Sequence, residues 1–373
     1  MTRAPSEKTQ LLLTLLQDVP ALIRYPSTPA SRHAPHHVST YRLAAVLTIP
    51  LGLSLLLFWA LTYGSKQAVL QWQILPQSFL VFLALCFVLP MKQMSRGGRS
   101  RFMATLRRVS LGGLAEVQDG KFGDILLADV LTSYAKVLGD LFVSTCMVFS
   151  STSTARPDRQ CGGAYLVPLI ISIPSIIRLR QCLIEFVRVQ RDRQISSGWG
   201  GQHLANALKY ASAFPVIILS ALQRGYDPKK IYMSETGLFR LWLFFVFVNS
   251  FYSFYWDVAK DWDLSLFSSE RMRNDPEYPY GLRRHRYFHA RNLYYVAIVA
   301  DLALRCTWSF KLSPHLDHFN DLEGGIFMME FLEVFRRWMW VFLRVETEWV
   351  RNNRGPAPDD VLLGDFGGKI DED

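Results

Sequence analysis

An all-α, polytopic membrane protein of about eight transmembrane helices is the fold class this sequence predicts, on three observations. Half of its 373 residues are hydrophobic and 13% are aromatic. Several apolar runs approach the ~20 residues a helix needs to cross a bilayer. Positive charge is gathered between those runs, in loops that alternate between rich and poor. On a soluble chain a net charge of +9 and a pI near 9.3 would suggest nucleic acid. Here topology accounts for the charge, and no nucleic-acid-binding motif occurs.

Residues 1–40 hold Pro, Ser, Arg and the histidines His33, His36 and His37, and read as a cytosolic arm. Leu11–Leu16 is too short an apolar core for a cleavable leader, so the first span is expected to act as the membrane signal. Leu43–Leu61 is that span and carries no charge; Phe79–Met91 is shorter and needs Leu70–Ser78 to cross. Further spans are expected at about 124–150, 164–186, 203–222, 238–257, 291–311 and 326–346, in one membrane domain over 41–350. Residues 351–373 are rich in Pro, Gly and Asp and read as a flexible cytosolic tail.

Lys92, Arg96, Arg99, Arg101, Arg107 and Arg108 share one side with Arg188, Arg191 and Arg193 and with Arg271, Arg273, Arg283, Arg284 and Arg286. The opposite loops hold Lys66, Arg156, Arg159, Arg224, Lys229, Lys230 and Lys311. The richer side belongs to the cytosol, which puts both termini there and Cys161 on the lumenal or extracellular side. Met103–Val109, with Arg107 and Arg108, is expected to lie along the cytosolic surface as an amphipathic helix. Cys86, Cys146, Cys182 and Cys306 lie in or near apolar segments, and with Cys161 they form neither a disulfide framework nor a metal motif.

The stretch Leu332–Glu348 is apolar and aromatic, yet it carries Arg336, Arg337 and Arg344. At about 100° per residue, Glu333, Arg336, Arg337, Trp340, Arg344 and Glu348 form one stripe, away from Phe335, Met339 and Phe342. An arginine facing lipid costs at least ~2.5–3.5 kcal/mol, so the stripe must face protein or a water-filled cavity. Other spans bring matching faces. Asp129, Ser133, Lys136 and Asp140 line up, with Thr132 at their edge; so do Pro174, Arg178 and Gln181, with Glu185 beyond. Asn206, Lys209 and Tyr210 group together, as do Ser250, Ser253, Asp257 and Asp261, and Asp301, Arg305 and Trp308.

Internal ion pairs such as Asp301 with Arg305 would explain any one of these faces. Six helices sharing charge predict a common polar interior, because buried pairs alone add little net stability. Guanidinium forks and a movable ammonium suit an oxyanion, with carboxylates aiming the cations and moderating the field.

KFGDILLADVLTS, IPSIIRLRQCL, NALKYASAF, FYWDVAKDWDLSLF, DLALRCTWSFKLS and LEVFRRWMWVFLRVETEW stand in order along the chain. They resemble successive motifs of the EXS family over roughly residues 41–350. The resemblance implies an EXS-type helical bundle, without the regulatory SPX domain that begins the family's long phosphate exporters, and thus closest in plan to its short fungal Golgi branch. It implies return of inorganic phosphate from the Golgi lumen to the cytosol, in support of retention of lumenal ER proteins and recycling of Golgi glycosyltransferases. The implied location is the Golgi membrane, with cycling through the ER. By motif, the phosphate site and pathway fall on Asp129, Thr132, Arg178, Lys209, Tyr210, Asp257, Asp261, Arg305, Trp308, Arg336 and Arg337. Glu333, Asp301, Trp340 and Arg344 support them. Thr132 replaces the exporters' Asn, so a hydroxyl that can donate one hydrogen bond stands where an amide could donate a pair.

No cofactor or metal is expected; the partners expected are phosphate, the bilayer, glycosyltransferase-recycling machinery and a second copy of the chain. Two readings compete. Asp261-Trp262-Asp263 has the D-x-D spacing of sugar-nucleotide enzymes, although Asp263 falls off the Asp257/Asp261 face. His285 and His289, and His315, Asp317 and His318, read as loop residues. A non-transporting receptor that recycles glycosyltransferases through its cytosolic loops is the stronger rival.

Overall fold

The computed structural model describes residues 36–63, 65–89, 96–116, 119–149, 158, 161–191, 199–228, 233–268, 275–288, 290–307 and 323–354. Most of the N-terminal arm, the tail beyond 354, Trp308, His289, His315, Asp317 and His318 lie outside them. Among the described residues the chain is helical and has no strand. In order, the helices are α1 (His36–Thr62), α2 (Lys66–Trp72), α3 (Ile74–Val88), α4 (Arg96–Ser110), α5 (Lys121–Ser133), α6 (Ala135–Phe149), α7 (Gly163–Arg191), α8 (Gly201–Ala211), α9 (Ala213–Arg224), α10 (Glu235–Trp256), α11 (Arg291–Arg305) and α12 (Glu323–Arg354). A π-helical turn, Asp257–Asp261, follows α10, and a 3₁₀ turn, Pro279–Gly281, precedes α11.

Five stretches are long and apolar enough to cross a membrane: Tyr41–Thr62, Gln67–Cys86, Tyr165–Arg191, Gly201–Arg224 and Glu235–Asp261. The spans expected near 124–150, 291–311 and 326–346 fall outside that criterion for visible reasons. The first carries Asp124, Asp129, Lys136 and Asp140 along its length, α11 has 15 residues, and the buried face of α12 is charged.

The chain forms two compact units. One comprises Pro26–Leu111 and Leu138–Ile170. In it α1 leaves Leu53, Leu56 and Trp59 more than half exposed, as suits a helix whose apolar surface is wetted by lipid. Arg99 is buried and donates to the backbone carbonyls of Cys86 and, at 2.8 Å, Leu89. It thereby satisfies orphan acceptors at the end of α3 and ties α4 to it.

In the same unit Cys146 and Cys161 are disulfide-bonded, against the expectation of no bridge. The two lie 15 residues apart in the chain, with their Cα atoms 6.1 Å apart; composition alone could not show this. Gly162 lies in a turn at φ +86°, where an added Cβ would come within 2.7 Å of the Phe142 ring. Cys86, Cys182 and Cys306 are unbridged. Maleimide labelling of the denatured chain is therefore expected to modify three of its five cysteines before reduction and all five after. Losing the bridge should cost about 3 kcal/mol on loop-closure grounds.

The other unit comprises Gly112–Val137 and the chain from Ile171 onward. The run expected as one span at 203–222 breaks at Ser212, because Pro215 cannot donate to the carbonyl of Ala211. The Ser212 hydroxyl donates to Lys209 O at 2.7 Å and accepts from Asn249 Nδ2 at 2.8 Å, which fixes the break against α10. Trp262, Trp340, Tyr294, Leu282, Val258 and Leu343 form the main apolar core, beside the π-helical turn. On α12 the expected stripe holds: Arg336, Arg337 and Trp340 are buried, while Phe331, Phe335, Trp338 and Phe342 stack outward along the opposite face.

Candidate functional site

The second unit's interior gathers charged residues from α5, α7, α8, the π-helical turn, α11 and α12. Burying so many ions is expensive, and each must find a partner or lose its charge. The π-helical turn sets the centre. Asp257 and Asp261, four residues apart at its two ends, lie on neighbouring faces, with Asp257 wholly buried. Lys209 reaches Asp257 Oδ1 at 3.0 Å and Asp261 Oδ2 at 3.4 Å. The other oxygen of Asp257 meets Arg305 and, at 3.5 Å, Arg336.

Arg305 and Arg336 share a second carboxylate. Arg305 Nε is 3.0 Å from Asp301 Oδ2, one turn back on α11, and Arg336 Nη1 is 3.2 Å from Asp301 Oδ1. Glu333 grips Arg336 with both oxygens, at 2.5 Å from Nη2 and 3.1 Å from Nε. Such two-pronged pairing fixes the guanidinium plane. Arg336 is thus enclosed by three carboxylates.

A second centre lies on α5 and α7. Asp129 Oδ1 accepts from Arg178 Nε at 2.6 Å and from the Tyr210 hydroxyl. The Arg178 guanidinium also stacks 4.9 Å from the Tyr210 ring and donates to Gln181 Oε1 at 2.7 Å. Gln181 in turn donates to Gly113 O at 3.1 Å.

Arg337 differs from the other cations. It is buried, and its hydrogen-bond partners among the described residues are two neutral hydroxyls: Ser133 Oγ at 2.9 Å and Thr132 Oγ1 at 3.2 Å. Ser133 passes its own proton to Glu333 Oε1 at 2.9 Å. Thr132 spends its proton on Asp129 O at 2.7 Å, so in this arrangement it offers a ligand no donor. The Arg337 guanidinium carbon lies 4.5 Å from the centroid of Trp340, whose fully buried indole N–H has no hydrogen-bond partner.

Counted together, Arg178, Lys209, Arg305, Arg336 and Arg337 face Asp129, Asp257, Asp261, Asp301 and Glu333, so the formal charges balance. Within that balance Arg337 is the cation that a stronger acceptor could claim at least cost. A tetrahedral oxyanion replacing the two hydroxyls would gain charge-assisted bonds without breaking an ion pair.

The structure therefore brings Asp129, Thr132, Arg178, Lys209, Tyr210, Asp257, Asp261, Asp301, Arg305, Glu333, Arg336, Arg337 and Trp340 together. Arg344 pairs with Glu348 at 3.2 Å and stacks on Phe122, and its charge also acts on Asp261. Lys136 is exposed, because the break at Tyr134 ends the face it was expected to share. The two carboxylates of the D-x-D separate: Asp261 meets Lys209, while Asp263, at φ +49°, accepts from the Tyr278 hydroxyl at 3.3 Å. Among the described residues no cluster of three or more metal-ligating side chains occurs.

Sequence reasoning missed two further clusters. Glu185 pairs with Lys121 at 2.5 Å and His203 at 3.4 Å, and Glu346 pairs with Arg283 at 3.2 Å. Their partners lie far apart in the chain, and the one local signal was a glutamate within an apolar run.

Comparison with known proteins adds lineage. A family model described as the EXS family matches residues 12–350. "Protein ERD1 homolog 2" of Schizosaccharomyces pombe is 31% identical over 309 residues, 82% of this chain and 75% of that protein. "Protein ERD1" of Kluyveromyces lactis is 31% identical over 248 residues, 63% of this chain and 61% of its own length. "Solute carrier family 53 member 1" of Mus pahari is 26% identical over 323 residues, which cover 85% of this chain but 44% of that protein.

Proposed function

This chain belongs to the EXS family, and on that premise we propose that it carries inorganic phosphate across the Golgi membrane from lumen to cytosol. One observation carries the reading. In a set of buried charges that balances with Arg337 included, Arg337 donates its hydrogen bonds to two hydroxyls, with no carboxylate among the described residues within ion-pair distance, and lies over Trp340, whose indole N–H lacks an acceptor. An oxyanion would give this guanidinium a charged acceptor. Glu333 and Asp261, at the margins of the cluster, are its partly exposed members.

The Cys146–Cys161 bridge supports the orientation. Disulfides persist in oxidising compartments, which favours a lumenal α6–α7 connection, as the loop charges require. With that connection lumenal, a count of eight spans returns both termini to the cytosol. Clearing lumenal phosphate would support glycosylation and, through it, retention of ER and Golgi residents.

The charge balance also suits a second reading, in which the ion pairs hold the bundle and the protein recycles glycosyltransferases as a receptor. Phosphate flux from proteoliposomes containing the full chain separates the two. Flux well above protein-free liposomes is expected; flux at the protein-free level would sink transport and favour the receptor.

A further inference from the structure

About three turns beyond Arg336 on α12, roughly 15 Å along the axis, Glu346 forms an ionic centre that the charge cluster does not use. It is 1% exposed. Its Oε1 accepts from the Tyr287 backbone N–H at 2.6 Å and from the Tyr294 hydroxyl. Its Oε2 stands 3.2 Å from Arg283 Nη2 but makes no hydrogen bond. The Arg283 side chain is 5% exposed, and its Nε, Nη1 and Nη2 all lack hydrogen-bond partners.

Arg286 repeats the pattern. Its Nε and Nη1 are buried without a hydrogen bond, and its guanidinium carbon lies 6.0 Å from the centroid of Tyr294. The two arginines beside the Tyr294–Glu346 pair thus hold five guanidinium nitrogens without a hydrogen bond, and among the described residues Glu346 is the carboxylate paired with either of them. Leaving a buried donor unmet costs more than an ordinary hydrogen bond returns, and more again when the donor is charged. The adjacent Arg284 is 60% exposed, so solvent lies one residue away along the chain.

We propose that Arg283 and Arg286 form a second oxyanion site that takes a phosphate group, either inorganic phosphate or the phosphomonoester headgroup of an anionic lipid. As a staging position at the cytosolic mouth, the site rests on the transport reading; as a phosphate site it stands by itself. Arg283 supplies the buried fork, Arg286 closes from the half-exposed side, and Glu346 limits affinity so that the anion can leave. The electrostatics resemble those at Arg337, where a guanidinium also lacks a full complement of anionic acceptors.

Equilibrium binding of radiolabelled inorganic phosphate to the full chain, held in phosphatidylcholine nanodiscs, tests this. Wild type is expected to bind two equivalents. Arg283→Gln should weaken one roughly tenfold to a hundredfold, and the half-exposed Arg286→Gln should do the same without burdening the fold. Arg337→Gln should remove the other equivalent. In nanodiscs containing phosphatidylinositol 4-phosphate, lipid retention that depends on Arg286, with loss of one phosphate equivalent, identifies the headgroup as the occupant. Phosphate binding by a folded Arg286→Gln protein equal to that of wild type, with no Arg286-dependent lipid retention, would overturn the proposal. Failure of the transport reading shows separately, as absent wild-type flux with Arg286-dependent binding intact.

Discussion

Exchanging Arg337 for lysine is expected to lower phosphate flux about ten- to a hundredfold while leaving the amount of folded protein unchanged. The two hydroxyls that now accept from Arg337 are neutral, so the exchange strands no carboxylate. Lysine keeps the charge but loses the planar fork that engages two oxyanion oxygens together. The loss of one charge-assisted bond is about 1.5–3 kcal/mol, the range quoted above as a fold-change. Proteoliposome efflux, normalised to reconstituted protein, is the measurement. Unchanged flux in Arg337→Lys would remove this residue from the anion site.

Arg336 is expected to behave in the opposite way. Arg336→Gln deprives Glu333, Asp301 and Asp257 of a shared buried partner. Removing one member of a buried ion pair costs about 3–5 kcal/mol, against a total stability of about 5–15 kcal/mol for an ordinary domain. The variant should therefore lose most of its folded, monodisperse protein, as read by size exclusion and thermal midpoint. Glu333→Gln in the same chain should restore part of it, since the two residues couple directly. A stable Arg336→Gln protein with abolished flux would show that Arg336, rather than Arg337, meets the anion.

These two predictions mark where the residues themselves ran out. Arginine is too costly in lipid to face outward, so Arg336 and Arg337 were legible as inward-facing from the apolar run around them. The same logic found Asp129, Arg178, Lys209, Asp257 and Asp301, each a charge inside a hydrophobic stretch. Helical periodicity continued through Tyr134 and Ser212, where the chain breaks, because hydropathy records burial and says little about a local turn. The Cys146–Cys161 bridge was invisible for a related reason, since it depends on how the folded chain brings two distant Sγ atoms together.

From the sequence alone it follows that this is a helical membrane protein with a charged interior, because the cost of placing charge in lipid constrains each segment separately. Which cation is caged and which remains available was decided by tertiary structure. Arg336 and Arg337 are neighbours of identical chemistry on one helix. They differ because α11 and the π-helical turn bring carboxylates to the first, while α5, some two hundred residues earlier, brings only the hydroxyls of Thr132 and Ser133 to the second.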